Sequence, residues 1–401
     1  MKITIEKSKL SGSIKAPPSK SYAHRLLIGA ALSNGVSKID GIIDSADMKA
    51  TLSSLSALGV GYQKNGDSVS IFGGKTAESF GEFNCFESGS TLRFFIPIAL
   101  ALGDKATFVG TEKLMSRGIS VYEEIFKNQG IEIIKSADRV SFKGKLKPDT
   151  FYMRGDISSQ FITGMLFALP LLSADSKIVL TTKLESQSYV NITIDVLSSF
   201  GIKIIRNENE FIINGNQKYM PQNLVVEGDA SNSAFLDAFN LLDGDVSVFG
   251  VNETTIQGDY VYKKHFEAIE KSVPVIDISD CPDLGPILFA LAGIKNGARF
   301  IGTKRLRIKE SDRVSDVSAE LSKLGIRVEA CENEAVVYPT KSLFASETFY
   351  AHNDHRIVMA LSVLLTACGG TIDGCEAVSK SYPDFFKDIK TLGANFEVTQ
   401  E

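Results

Sequence analysis

Two patterns of apolar and polar positions recur along the chain and keep step with one another. In the first, an amphipathic segment ends on a small residue and passes into an alternating strand, a turn and often a second strand. It reads LSALG-VGYQ-KNGD-SVSIF, FKNQG-IEII-KSAD-RVSFK, LSSFG-IKII-RNEN-EFIIN and LSKLG-IRVE-ACENE-AVVYP, with a weaker AIEKS-VPVID and a closing TLG-ANFEV. The pivots fall at Gly59, Gly130, Gly201, Ser272, Gly325 and Gly393, and the first three spacings are identical. Glycine at the end of a helical pattern predicts a left-handed cap, and the alternation beyond it predicts a strand.

In the second pattern a small polar cluster opens a mostly apolar helix. It occurs at Ser21 (PPSKSYAHRLLIGAAL), Ser90 (ESGSTLRFFIPIALAL) and Ser159 (ISSQFITGMLFALPLL). It returns near Ser231 (GDASNSAFLDAF), Asp283 (CPDLGPILFALAG) and Asp354 (NDHRIVMALSVLL). Each opening precedes its pivot by about 40 residues, so the two markers together predict six α/β units of roughly 55–70 residues. Each unit has one mostly buried helix and one more amphipathic helix. Six units exceed a single core, which groups them three per globule. VEGDAS, Val226–Ser231, falls between the third and fourth units. The residues alone leave open which globule takes the first strand.

Composition removes several function classes. The 401 residues carry 43 Lys+Arg against 48 Asp+Glu, a net charge of −5. That balance argues against a general nucleic-acid binder, which needs a basic face. The longest mostly apolar stretch, Phe161–Ala174, is too short for a membrane span and is broken by Pro170. MKITIEKSKLSGSIK alternates as a strand does and lacks the apolar run of a signal peptide. Cys85, Cys281, Cys331, Cys368 and Cys375 are odd in number and without CxxC spacing, which predicts a reduced, cytoplasmic chain.

The polar helix openings are where chemistry is expected. A helix N-terminus presents backbone N–H donors and partial positive charge, which suit phosphate or carboxylate. In the first opening Ser19, Lys20, Ser21 and Arg25 add hydroxyls, a point charge and a planar fork. An ordinary serine cap beside exposed basic residues accounts for the same letters. In ESGSTLR, Gly89 permits close backbone approach, and Arg93 in a first turn opposes the helix dipole, a hint of a bound anion. Ser158, Ser159 and Gln160 form a third polar cap. RLRIKESDRVSD gathers Arg305, Arg307, Lys309, Glu310, Asp312 and Arg313, with Lys309 and Arg313 spaced to share a helix face. A solvated charged helix start is the usual explanation of such a run. NDHR puts His355 and Arg356 at the start of a very apolar helix, an awkward place unless that end meets polar surroundings. His352 and His355 have metal-compatible spacing without a clear further ligand, so no metal is expected.

Taken together, PPSKSYAHR, SGSTLR, RGDISSQF, VEGDAS, KESDR, NDHR and SKSYPDF resemble, in order and nearly end to end, the enolpyruvyl transferases and among them the 5-enolpyruvylshikimate-3-phosphate synthases. The resemblance implies a two-globule inside-out α/β barrel fold of six repeated units. It assigns residues 1–14 and 227–401 to one globule (repeats 4–6) and 15–226 to the other (repeats 1–3), with the active site in the cleft between them. It also implies transfer of the enolpyruvyl group of phosphoenolpyruvate to the 5-hydroxyl of 3-phosphoshikimate, with release of phosphate, in the shikimate pathway.

Matching motif positions assign 3-phosphoshikimate to Lys20, Ser21, Arg25, Ser158, Ser159, Ser186, Asp283 and Lys309. Phosphoenolpyruvate falls to Lys20, Gly89, Arg117, Gln160, Arg313, Arg356 and Lys380. Asp283 is the implied base; Glu310 and Lys20 are the candidate acids, and Lys380 assists the departing phosphate. Arg93 is expected to support its loop. No cofactor is implied, and the expected state is a monomer acting on small molecules, with no nucleic-acid or membrane partner. Three positions depart from the family pattern. Glu87 stands for Asn before the Gly-Ser turn, His24 for Asn before the arginine, and Arg305 for Asn four residues before Lys309. Gly89 keeps the small residue that the family associates with sensitivity to glyphosate. The rival within the family is UDP-N-acetylglucosamine enolpyruvyl transferase, which has Lys-Asn where this chain has Lys20-Ser21. That rival also has a loop cysteine where this chain reads TEKLMSRGIS.

Overall fold

The computed structural model describes residues 1–74, 76, 77, 79–345 and 347–399. Residues 400 and 401, the end of the span expected for the second-half globule, lie outside them. The chain divides into two compact units, one of Met1–Pro17 with Gly228–Glu401 and one of Pro18–Glu227. Their helices, in chain order, are α1 (Lys20–Leu32), α2 (Ala46–Ala57), α3 (Gly89–Leu102), α4 (Glu112–Ser116), α5 (Ser120–Asn128), α6 (Ser159–Ala168) and α7 (Gln187–Ser199). There follow α8 (Ala230–Asp237), α9 (Tyr262–Lys271), α10 (Gly285–Ile294), α11 (Arg313–Ser322), α12 (His355–Cys368) and α13 (Phe385–Thr391).

The repeat is plain in the sheets. In the Pro18–Glu227 unit, Glu82–Asn84 pairs parallel with Lys105–Val109 across α3, because a helical crossover returns the chain in the same direction. Lys105–Val109 then pairs antiparallel with Arg139–Lys143, and that strand with Glu132–Lys135, the hairpin after the second helix. The same order recurs in Thr150–Met153, Ser176–Leu180, Glu210–Ile213 and Ile204–Asn207. It recurs again in Asn223–Val225, Gly35–Asp40, Ser68–Gly73 and Gly61–Asn65. The other unit repeats it in Val275–Asp277, Ala298–Ile301, Glu334–Val337 and Val328–Ala330.

At the chain's ends the pattern is completed from a distance. Lys2–Ile5 lies antiparallel between Gly370–Asp373 and Phe396–Thr399, supplying the hairpin strand that the sixth repeat lacks. Ser11–Lys15 pairs parallel with Asp245–Phe249. The fourth copy departs from the sequence reading. VPVID is not the hairpin strand after its pivot but the parallel edge strand of the next sheet. The pivots explain why. Gly59, Gly130, Gly201, Gly325 and Gly393 all have positive φ, as a left-handed helix cap requires, whereas Ser272 is extended at φ −157° and leads straight out.

Each unit has its own apolar core. The helices with polar openings are those buried almost throughout, and most of their polar residues sit in their first two turns. α3 and α6 meet so closely that a Cβ on Gly164 would lie 2.4 Å from the Arg93 carbonyl oxygen and the Tyr122 hydroxyl. Among the described residues no helix is long and apolar enough to cross a membrane.

Candidate active site

In the Pro18–Glu227 unit the expected residues sit in the first two turns of α1, at the starts of α3 and α6, just before α7 and, for Arg117, just after α4. Lys20 Nζ lies 2.9 Å from the Asp47 carboxylate in the first turn of α2. Arg25 is buried. Its Nε donates to Thr193 Oγ1 at 2.8 Å, and its terminal nitrogens to the Ser21 carbonyl at 2.7 Å and the Tyr189 carbonyl at 3.1 Å. The Phe94 ring lies 5.1 Å below the guanidinium. Burial pulls Arg25 down to about 10, partly opposed by Tyr189 and Tyr22, so it stays a cation at neutral pH. It thus ties α1 to α7 and supports the turn that presents Ser21. Ser186, just before α7, has φ 53°, a conformation that non-glycine residues adopt at a cost and that concentrates at functional turns.

The start of α3 is built as a cradle. Ser88 caps it, its hydroxyl accepting from the Thr91 amide. A Cβ on Gly89 would lie 3.2 Å from both terminal nitrogens of Arg117, so the absent side chain leaves room for that guanidinium. Arg93 donates to Gln160 Oε1 at 2.6 Å and to the carbonyls of Arg117 and Gly118, each at 3.3 Å. It supports the loop, and Gln160 is held in turn by donating to Ser90 Oγ at 3.0 Å. Ser158 caps α6 and Ser159 is buried beside it. We expect Gly89→Ala to raise the KM for phosphoenolpyruvate about tenfold, by pushing Arg117 off its position, with kcat falling less. Steady-state kinetics with either substrate varied would check this, and an unchanged KM would remove Gly89 and Arg117 from that subsite.

In the other unit the cationic groups converge on one carboxylate. Asp283, in the short turn before α10, accepts from Lys309 Nζ at 3.2 Å and from Arg313 at 2.8 Å, and its second oxygen lies 3.5 Å from Arg356. Arg313 also reaches Glu310 at 2.8 Å and the wholly buried Asp354 at 2.8 Å. Burial alone would lower the Arg313 pKa, but the Asp354, Glu310 and Asp283 carboxylates outweigh it and hold it above the ordinary arginine value. Burial lowers Lys309, with Asp283 opposing. Lys380 donates to the Asn353 carbonyl at 2.7 Å, on a backbone turn where His352 and Asn353 both have positive φ.

Residue-type reasoning missed two members of this cluster. Asn232 accepts from Arg356 at 2.9 Å. Asp354 caps α12 while also receiving Ser311 and Arg313. The signal for Asp354 was the charged NDHR start of an apolar helix; Asn232 had only the polar SNS run after its cap.

Buried donors without protein partners mark both sets. Among the described residues these include Ser19 Oγ and Arg117 Nε in one unit, and Asn232 Nδ2 and Arg356 Nε in the other. Such groups are destabilising unless a ligand or water satisfies them. Among the described residues no group of three or more His, Cys, Asp or Glu is gathered to hold a metal ion.

His24 gives a pH prediction. Burial first, then the Lys20 and Arg25 charges, push it well below 6.5, so it is neutral in the folded protein. In the unfolded chain it takes up a proton as pH falls through about 6.5. Below that the unfolded state binds the extra proton, so this contribution to stability is present above the window and lost as pH falls. His24→Asn should therefore lose less stability than the parent between pH 7 and 5 in urea unfolding. Equal losses would contradict a buried neutral ring.

Comparisons with known proteins bear on the family and the fold. Residues 5–389 match the family model described as EPSP synthase (3-phosphoshikimate 1-carboxyvinyltransferase). The 3-phosphoshikimate 1-carboxyvinyltransferase of Clostridium kluyveri is 42% identical over 98% of both chains, and that of Clostridioides difficile 39% over the same shares. The structure resembles EPSP synthase from Acinetobacter baumannii, with TM-score 0.79 and 22% identity over 100% of each chain. It also resembles the enolpyruvyl transferase NikO from Streptomyces tendae, with TM-score 0.76 and 14% identity over 99% of this chain and 98% of that one.

Proposed function

This chain belongs to the EPSP synthase family, and from that membership we infer that it transfers the enolpyruvyl group of phosphoenolpyruvate to the 5-hydroxyl of 3-phosphoshikimate, releasing phosphate. The observation that carries the reading into this chain's own residues is the convergence of Lys309, Arg313 and Arg356 on Asp283. Two phosphates and two carboxylates need several cations, and the addition needs a carboxylate among them to act as base.

In this reading 3-phosphoshikimate is held by Lys20, Ser21, Arg25, Ser158, Ser159, Ser186, Asp283 and Lys309. Phosphoenolpyruvate is held by Lys20, Gly89, Arg117, Gln160, Arg313, Arg356 and Lys380. Three cations on one carboxylate favour its anion, which suits Asp283 to take the proton of the attacking 5-hydroxyl. The oxygen bonds to C2 of phosphoenolpyruvate while an acid protonates the C3 methylene. Glu310 lies on Arg313, which favours its charged form, so the donor role falls to Lys20. Return of a methyl proton to the Lys20 amine and departure of phosphate, drawn by Lys380, restore the double bond. Backbone donors at the start of α3 and the arginine forks hold the charge that develops on phosphate.

The rival substrate, UDP-N-acetylglucosamine, is disfavoured by Ser21 after Lys20 and by a loop without cysteine at 111–120. We take the chain to be a cytoplasmic monomer that acts without metal or organic cofactor. Phosphate release should require phosphoenolpyruvate and 3-phosphoshikimate together and should not occur with the UDP-sugar. Release with the UDP-sugar alone would transfer the reading to the rival, and silence with both from folded protein would end it.

A further inference from the structure

A chain of side-chain hydrogen bonds runs from the middle of α1 to the start of α3. His24 Nδ1 lies 2.6 Å from Thr51 Oγ1, Thr51 Oγ1 lies 3.0 Å from Thr91 Oγ1, and Thr91 Oγ1 donates to Ser88 Oγ at 2.8 Å. All four residues are buried. A hydroxyl has one hydrogen and two lone pairs, so the direction of one link fixes the next. Ser88 Oγ accepts both from the Thr91 hydroxyl and from the Thr91 amide at 3.2 Å, which engages both lone pairs and leaves its hydrogen to donate. Thr91 has spent its hydrogen on Ser88 and so accepts from Thr51. Thr51 has then spent its own and accepts from His24. The network assigns the Nδ1–H tautomer to His24, which leaves Nε2 with a bare lone pair in a buried place where it has no hydrogen-bond partner among the described residues.

The consequence is directional. A protonated ring would also donate, but it would add a third cation beside Lys20 and Arg25, whereas the neutral ring in this tautomer donates without one. We propose that His24 is a positioning residue which sets the direction of the Thr51–Thr91–Ser88 chain, so that the Ser88 hydroxyl donates its hydrogen to the phosphoenolpyruvate anion at the start of α3. The neutral state of the ring, maintained by burial and the neighbouring cations, is consistent with that role. A donor already aimed before the anion arrives loses no orientational freedom on binding, which is how a buried chain of hydrogen bonds acts on affinity. This rests on placing phosphoenolpyruvate beside Gly89 and Arg117.

Thr51→Val keeps the shape of the threonine and removes the second link. It should raise the KM for phosphoenolpyruvate about three- to tenfold, with the KM for 3-phosphoshikimate within about twofold of the parent. His24→Phe should behave alike, and Thr51→Ser, which keeps the hydroxyl, should behave as the parent. In a Ser88→Ala background Thr51→Val should add nothing, because the chain acts through Ser88. Equal KM values for Thr51→Val and Thr51→Ser, or full additivity with Ser88→Ala, would overturn the relay. If Ser88→Ala alone leaves the KM for phosphoenolpyruvate unchanged in an active enzyme, the subsite itself is misplaced, and the proposal falls with it. Should His24→Phe fail to fold, the two Thr51 variants carry the test unaided.

Discussion

Asp283→Asn is expected to lower kcat by about 10²–10⁴ while leaving the fold intact. Asparagine is nearly the same shape and keeps one acceptor oxygen for Lys309 or Arg313, so the surrounding side chains need not move. What it loses is the negative charge and the basicity. Lys309, Arg313 and Arg356 then share one counter-charge fewer, and their contacts of 3.2, 2.8 and 3.5 Å with the former carboxylate weaken. The KM for 3-phosphoshikimate should rise as well, because the same oxygen accepts its hydroxyl, but by much less than kcat falls. A profile in which kcat stays within about threefold and only KM rises would make Asp283 a binding group and leave the proton to another residue.

The second large effect is on stability. Arg313→Met should destabilise its unit by about 3–5 kcal/mol, because removing one partner strands a buried charge. Asp354 is wholly buried, and Arg313 supplies two of its contacts, at 2.8 and 3.2 Å. Ser311 and the Arg356 amide remain but carry no charge to balance it. For a unit of this size the loss corresponds to a fall of about 6–20 °C in Tm. Lys309→Met removes a largely buried cation whose one ion pair, to Asp283 at 3.2 Å, is longer than those of Arg313, and should shift Tm less. Adding Asp354→Asn to Arg313→Met should recover part of the loss, since the stranded charge goes with it. A double variant no more stable than the single would assign the effect to packing alone.

What the sequence revealed, and what it hid, follows the range of the interactions. The pivots were legible because a left-handed cap is a local demand that glycine meets, and five of six pivots are positive-φ glycines. Ser272 was the exception: with no left-handed cap there is no hairpin, and VPVID passes to the next sheet, a pairing with Ala298–Ile301 that no local pattern encodes. The partners of Lys2–Ile5 lie at the far end of the chain, so residue patterns left them open.

The candidate site divides in the same way. Polar residues opening buried helices were visible, because the runs that follow them are mostly apolar. Who holds whom was not. Arg25 looked like an anion fork, yet it also donates to Thr193, Thr163 and the Tyr189 carbonyl on other helices, and to the Ser21 carbonyl in its own. Asp354 looked like an ordinary cap and is also the anchor of an arginine from another helix. Both are contacts across repeats, which periodicity along one repeat cannot report.

The claim on which the proposed function depends is that Ser158 and Lys309 each hold 3-phosphoshikimate. Calorimetric titration of 3-phosphoshikimate into Ser158→Gly and Lys309→Met tests it directly. Glycine spares most of the α6 cap, so the first variant removes chiefly the hydroxyl. The account predicts that each substitution, one in each unit, weakens binding by about tenfold. A dissociation constant left unchanged by either variant, in protein shown to be folded, would remove that residue from the 3-phosphoshikimate site and contradict the proposed assignment.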